Sequence, residues 1–196
     1  AGIKKSGNLD VAVIYTKTQA VVAGTFTQNK VAAAPVYVSK EVVATGTAHA
    51  IVANAGCANA CTGQQGLDDA HKMAQIAADE LGVNADDVIV GSTGVIGVSL
   101  PMDKLEAGIK DAVANLSADG SGNAGRAIIT TDTHSKSVTC EFELSGKTVR
   151  MGAIAKGSGM IRPNMATMLC YITTDIAIDQ ALLQKAVSGC VEKSFN

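Results

Sequence analysis

The hydrophobic positions change period several times along the 196 residues. Short runs rich in Val and Ile at Asp10–Tyr15, Ala20–Phe26, Pro35–Ser39 and Ala48–Asn54 are separated by polar or glycine-bearing turns, and they predict strands. From Gly66 to Gly82 the period lengthens to that of a helix. Ala70, Met73, Ala74, Ala77 and Leu81 share one face, Asp68 and Asp69 suit the positive N-terminal end, and Gly82 is a natural stop. Asp87–Val90 predicts a short buried strand, followed by the glycine-punctuated loop Gly91-Ser92-Thr93-Gly94-Val95-Ile96-Gly97. Pro101 opens a second helix with Met102, Leu105, Ile109, Ala112, Val113 and Leu116 on its inner face.

Ser117 to Gly125 predicts a polar loop, the one soft boundary in the chain, and Arg126–Thr131 a strand. Lys136–Leu144 alternates: Val138, Cys140, Phe142 and Leu144 on one side, Thr139, Glu141 and Glu143 on the other. Ser145-Gly146 turns it into Lys147–Ala155, which predicts a hairpin with one wet face. Thr167–Thr173 predicts a further strand and Asp179–Glu192 a last helix. Hairpins and helices mix without strict alternation. The expected fold is mixed α/β (α+β), layered sheets flanked by helices, in a single domain over 1–196.

Composition narrows the function classes. Hydrophobic residues make up 47% and charged residues 17%, with mean hydropathy +0.22, so the chain can bury enough surface to fold. A net charge of −2 gives no electrostatic footprint for nucleic acid or an anionic membrane surface. No apolar run approaches the ~18–20 residues of a membrane span. Behind Lys4 and Lys5 there is no apolar signal core, and the absence of an initial Met leads us to expect a fragment or a processed chain. Cys57, Cys61, Cys140, Cys170 and Cys190 are an odd, scattered set, which points to a reducing, cytoplasmic setting and not to a disulfide framework. His49, His71 and His134 lack metal-ligand spacing, so no metal is expected.

Three segments carry candidate chemistry. Gly91–Gly97 follows a strand as a dinucleotide-binding loop would, but Pro101 lies close behind, and Asp111, about where an acidic residue is needed, falls inside a helix. A structural turn, a cofactor loop and a set of N–H donors for an oxyanion all remain readings of it. In Lys156-Gly157-Ser158-Gly159-Met160-Ile161-Arg162-Pro163-Asn164-Met165-Ala166-Thr167, the Thr is either an ordinary β-former or a nucleophile. A Thr hydroxyl needs a base, and an α-amine freed by cutting the bond before it can serve, with a pKa of ~7.7–8. Ile128-Ile129-Thr130-Thr131-Asp132-Thr133 ends in hydroxyls, as a polar strand terminus or a ligand-binding one.

Together these segments resemble the ornithine acetyltransferase family, the bifunctional glutamate N-acetyltransferases of arginine biosynthesis. The resemblance runs through Ala53-Asn54-Ala55-Gly56-Cys57-Ala58-Asn59-Ala60-Cys61-Thr62-Gly63, Ser92–Gly97, Leu100-Pro101-Met102, Ala127–Thr133, Lys156–Ile161 and Pro163–Leu169, in order, over nearly the whole chain. Cys57 departs from it, where the family more often has Asn. The resemblance implies a fold related to self-cleaving aminopeptidases with an N-terminal nucleophile. It implies self-cleavage between Ala166 and Thr167, dividing an α-chain region, 1–166, from the start of a β chain, 167–196. Thr167 would take acetyl from N2-acetylornithine and pass it to glutamate by a ping-pong route. Thr93 and Gly94 would form the oxyanion hole, and Thr130, Lys156 and Thr167 would bind substrate. It further implies an α2β2 assembly of the two chains, no cofactor, and acetyl-CoA left open as a donor. The competing readings are a related peptidase or amidase with water as acceptor, a dinucleotide-binding module built on Gly91–Gly97, and a non-catalytic subunit that packs on a partner.

Overall fold

The computed structural model describes residues 1–4, 7–159, 165 and 167–196. Two three-stranded sheets organise it. The first holds β1 (Val11–Val21), β2 (Thr47–Cys57) and β3 (Val88–Val95) in that order, with β2 antiparallel to β1 and parallel to β3. The parallel step is made by α2 (Gly63–Leu81), the usual crossover for such a pair. The second sheet is antiparallel: β4 (Lys136–Leu144), β5 (Lys147–Lys156) and β6 (Leu169–Thr174). The remaining helices are α1 (Ala34–Thr45), α3 (Met102–Ala114), α4 (Ser121–Ile128) and α5 (Gln180–Ser194).

The alternation along the first sheet decides what lies on each side. Val13, Val52 and Val90 share one rung, and Val52 and Val90 join Val38, Met73, Ala77, Leu105 and Ile109 in the main core beneath α1, α2 and α3. The next rung, Ala12, Ala53 and Gly91, carries almost no side chain. Ala12 and Ala53 face a second core made with Ala127 and Ile128 of α4, Ile154 of β5 and Tyr171 of β6. Small residues on this face let the second sheet and α4 approach closely, which suits a chain with 3% aromatics.

Several expectations are corrected. Pro35–Ser39 is not a strand: it lies inside α1, where Pro35 occupies the first turn and Ala34, Pro35, Val38, Ser39 and Val42 are buried at helical spacing. β1 runs on to Val21, with a register shift between Tyr15 and Ala20, and residues 22–26 form no strand. Much of the Ser117–Gly125 loop and the Arg126–Thr131 strand is replaced by α4, whose Ala127 and Ile128 are buried. The hairpin of β4 and β5 forms with the expected register, yet β4 is exposed at every residue, Val138 at 64%. β4 is an edge strand, and among the described residues the second core reaches the sheet through Ile154 of β5 and Tyr171 of β6.

Candidate active site

β3 does not stop at Val90. It continues through Gly91, Ser92, Thr93 and Gly94 to Val95, paired with β2 over Ala53–Cys57, so these residues are strand and not a free loop. The pairing is irregular at Gly56 and Cys57. Gly94 has φ +135°, and a Cβ there would lie 2.3 Å from the carbonyl carbon of Gly56. Two glycines therefore press backbone on backbone, which no side chain at position 94 permits. The end of β2 is fixed by the fully buried Asn54. Its Nδ2 donates to Cys57 O at 3.0 Å, and its Oδ1 accepts from Ser92 Oγ at 2.6 Å. Since α3 starts only at Met102, the glycines do not open a helix, and the pyrophosphate geometry of a dinucleotide loop is not met.

Thr93 faces the second sheet. Lys156, the last residue of β5, donates from Nζ to Thr93 Oγ1 at 3.1 Å, and both side chains are buried, at 6% and 8% exposure. Burial lowers the Lys156 pKa below the ordinary lysine value; Asp132 pulls it back up and Lys136 pushes it down. Asp132 is the anion that balances this cluster. Its Oδ1 accepts from Lys136 Nζ at 2.5 Å and from Gly157 N–H at 2.9 Å, and Thr130 N–H approaches Oδ2 at 3.4 Å. Burial would raise its carboxyl, but these donors outweigh burial and hold it at about 2. Asp132 thereby ties the Thr130 segment to the turn that follows β5. Thr131 and Ser158 hydroxyls, 3.3 Å apart, add a second tie.

The expected site residues thus divide. Thr93, Gly94 and Lys156 meet at one end of the two sheets, and Thr130 is held next to them through Asp132. Leu169 pairs with Lys156, so Thr167, exposed and two residues earlier, leads into β6 at the same end. Ala166 lies outside the described residues, as do Met160–Asn164 of the same motif. Asp132 and Asn54 were not singled out as functional in the sequence. A signal existed for Asp132: it stands four residues before Lys136 at the end of an apolar run, and a carboxylate buried there needs a cation.

This arrangement brings together a buried cation, a hydroxyl it donates to and, on the next residue, a constrained glycine backbone. Groups of this kind are able to bind a carboxylate or to donate to a developing oxyanion. The sequence model of the ArgJ family matches residues 1–196, and the chain belongs to that family. It is 50% identical over 191 residues to the arginine biosynthesis bifunctional protein ArgJ of Symbiobacterium thermophilum, covering 97% of this chain and 48% of that protein. It is 48% identical over 197 residues to the glutamate N-acetyltransferase of Methanocaldococcus jannaschii, covering 98% of this chain and 48% of that one. The chain therefore spans about half the length of the curated relatives it matches. Among solved structures, ArgJ from Bacillus halodurans matches with a TM-score of 0.78 at 42% identity, covering 84% of this chain and 86% of that chain. Ornithine acetyltransferase from Mycobacterium tuberculosis, complexed with ornithine, matches with a TM-score of 0.75 at 38% identity, covering 84% and 88%.

Proposed function

We propose that the protein containing this chain moves an acetyl group from N2-acetylornithine to glutamate through an acetyl ester on Thr167, after cutting itself between Ala166 and Thr167. The freed α-amine of Thr167 takes the proton of its own Oγ, and Oγ attacks the acetyl carbonyl carbon. The resulting oxyanion is met by Thr93 and Gly94. The C–N bond breaks, ornithine leaves with the proton on its amine, and acetyl stays on Thr167. Glutamate's amine then attacks the ester, N-acetylglutamate departs, and Oγ recovers its proton. Lys156 and Thr130 hold the amino-acid substrates, Lys156 by offering charge to a carboxylate.

The observation that carries this reading is the contact of Lys156 Nζ with Thr93 Oγ1. An ammonium only donates, so Thr93 Oγ1 accepts from Lys156 and its own proton is left to point at a substrate oxygen. A neutral hydroxyl becomes a directed donor. A divided precursor fits the chain lengths: the matched region covers 86–88% of the solved relatives' chains, whereas this chain covers 48% of the curated full lengths. In this reading 1–166 belongs to the α chain, 167–196 begins the β chain, two α and two β chains assemble as α2β2, the enzyme works in the cytoplasm, no cofactor takes part, and acetyl-CoA is a further donor to be assayed.

Initial rates with N-acetylornithine and glutamate both varied test the covalent route. Parallel double-reciprocal lines are expected. Intersecting lines, or release of acetate with no dependence on glutamate, contradict it; the latter outcome would make the protein an amidase.

A further inference from the structure

Two contacts join the sheets on the face that carries the candidate site. Gly91 and Thr93, two residues apart on β3, point to the same side. Across from them, Lys156 pairs with Leu169 and Ile154 pairs with Tyr171. Lys156 reaches Thr93. Tyr171 reaches Gly91: a Cβ placed on Gly91 would lie 2.0 Å from the phenol oxygen and 3.3 Å from the ring carbon Cζ. The phenol oxygen therefore fills the place of the missing side chain at the end of the Ala12–Ala53–Gly91 rung.

That oxygen is buried and has no hydrogen-bond partner among the described residues. Burial pushes the phenol up, so the hydroxyl keeps its proton. A buried hydroxyl without a partner weakens folding, and Phe would ordinarily serve as well or better. The oxygen's close neighbour is the bare backbone of Gly91 on β3.

We propose that Gly91 and Tyr171 form a spacer that sets the gap between β3, which carries Thr93 and Gly94, and β6, which Thr167 leads, and that Tyr171 is thereby a positioning residue for acyl transfer. The proposal rests on the role given to Thr167. Tyr171 lies four residues from Thr167: β6 begins at Leu169, paired with Lys156, and Thr167 stands in the turn just before it. A change of gap at Tyr171 is passed along a paired strand to the reacting end, where ~1 Å of misplacement costs roughly 10²-fold in rate.

The test is a cycle of four full-length proteins: wild type, Gly91→Ala, Tyr171→Phe and the double variant. Each is measured for single-turnover acetylation, KM for N-acetylornithine, and thermal stability. Gly91→Ala is expected to acetylate roughly 10²-fold more slowly per folded molecule, with KM unchanged. Tyr171→Phe is expected to keep or gain stability and yet slow acetylation by about tenfold, a split that a purely structural role would not produce. In the double variant the methyl takes the place of the oxygen, and at least about tenfold of the Gly91→Ala loss should return. A Tyr171→Phe protein that acetylates at the wild-type rate overturns the proposal, even where Gly91→Ala does not fold. A folded double variant no faster than Gly91→Ala overturns it too. Wild-type protein that never splits or gains acetyl contradicts the Thr167 reading instead, and the stability cycle then decides the spacer: destabilisation by Gly91→Ala with no relief from Tyr171→Phe would refute the contact.

Discussion

Lys156 Nζ lies 3.1 Å from Thr93 Oγ1, across the gap between the two sheets. The donor is an ammonium, so the direction of this hydrogen bond is fixed by chemistry. Thr93 is left with one proton to give. Removing that donor should therefore act on the rate. Thr93→Ala is expected to lower the acetylation rate by roughly 10²–10³-fold, while Thr93→Ser, which keeps the hydroxyl, retains most of it. Single-turnover acetylation of the full-length protein checks this. A Thr93→Ala protein within about twofold of wild type would remove Thr93 from the oxyanion hole.

Gly94 gives a prediction about stability. A Cβ at this position would sit 2.3 Å from Gly56 C and 2.6 Å from Gly56 O, and the φ of +135° is strained for any side chain. Both strands are backbone at the clash, so neither can yield by turning a side chain. Gly94→Ala should destabilise the protein by about 3 kcal/mol, read as a lowered Tm. By contrast, Gly122→Ala, with nothing near its added Cβ, should leave Tm unchanged or slightly raised.

Asp132 gives a pH dependence. Its carboxyl is held at about 2 in the folded protein against 3.8 for the free group, so its ionised form is favoured by folding. That stability is fully present above pH ~4 and is lost as the pH falls from there towards about 2. Asp132→Asn should lower stability at neutral pH and flatten the loss between those limits. Denaturant melts of both forms from neutral to acid check it. An unchanged acid limb in Asp132→Asn would mean that the charge carries no folding energy.

The alkaline side reports on Lys156. Burial brings its pKa below the ordinary lysine value, so its charge is lost earlier in alkali than that of an exposed lysine. If that charge holds a substrate carboxylate, kcat/KM falls as it is lost. Lys156→Arg keeps a cation throughout and should push the fall to higher pH, at the expense of a poorer fit to Thr93. A fall at the same pH in both proteins would assign it to another group.

How much of this was legible in the sequence depends on range. The strands of the hairpin, the long α2 and the start of α3 followed from period and turn residues alone, because their signals are local. Pro35–Ser39 reads as a strand because Val36 and Val38 are β-branched, and the fact that decides for α1, burial at 34, 35, 38, 39 and 42 with β3 as a neighbour, is tertiary. α4 was misread because Gly122 and Gly125 look like loop residues, whereas Gly125 lies close to Ile154 and Ser135, with a Cβ there 3.6 and 3.8 Å from them. The site followed the same rule. Its motifs could be found one at a time, and the resemblance joined them. The approach of Lys156 to Thr93 spans 63 residues of sequence, and Asp132, which organises the turn, shows its role only once Gly157 and Lys136 are seen around it. The contact of Tyr171 with Gly91 is set by two sheets packing, and no local pattern encodes it.

The central claim is that Thr167 becomes the N-terminal nucleophile. It is tested most directly by the intact mass of the full-length protein, before and after adding N-acetylornithine, with Thr167→Ala alongside. The account predicts two chains meeting at Ala166 and Thr167, one acetyl group appearing on the Thr167 chain and leaving when glutamate is added, and a Thr167→Ala protein that stays whole and unacetylated. A wild-type chain that stays whole and never gains acetyl, or a Thr167→Ala protein that still splits and transfers acetyl, would contradict it.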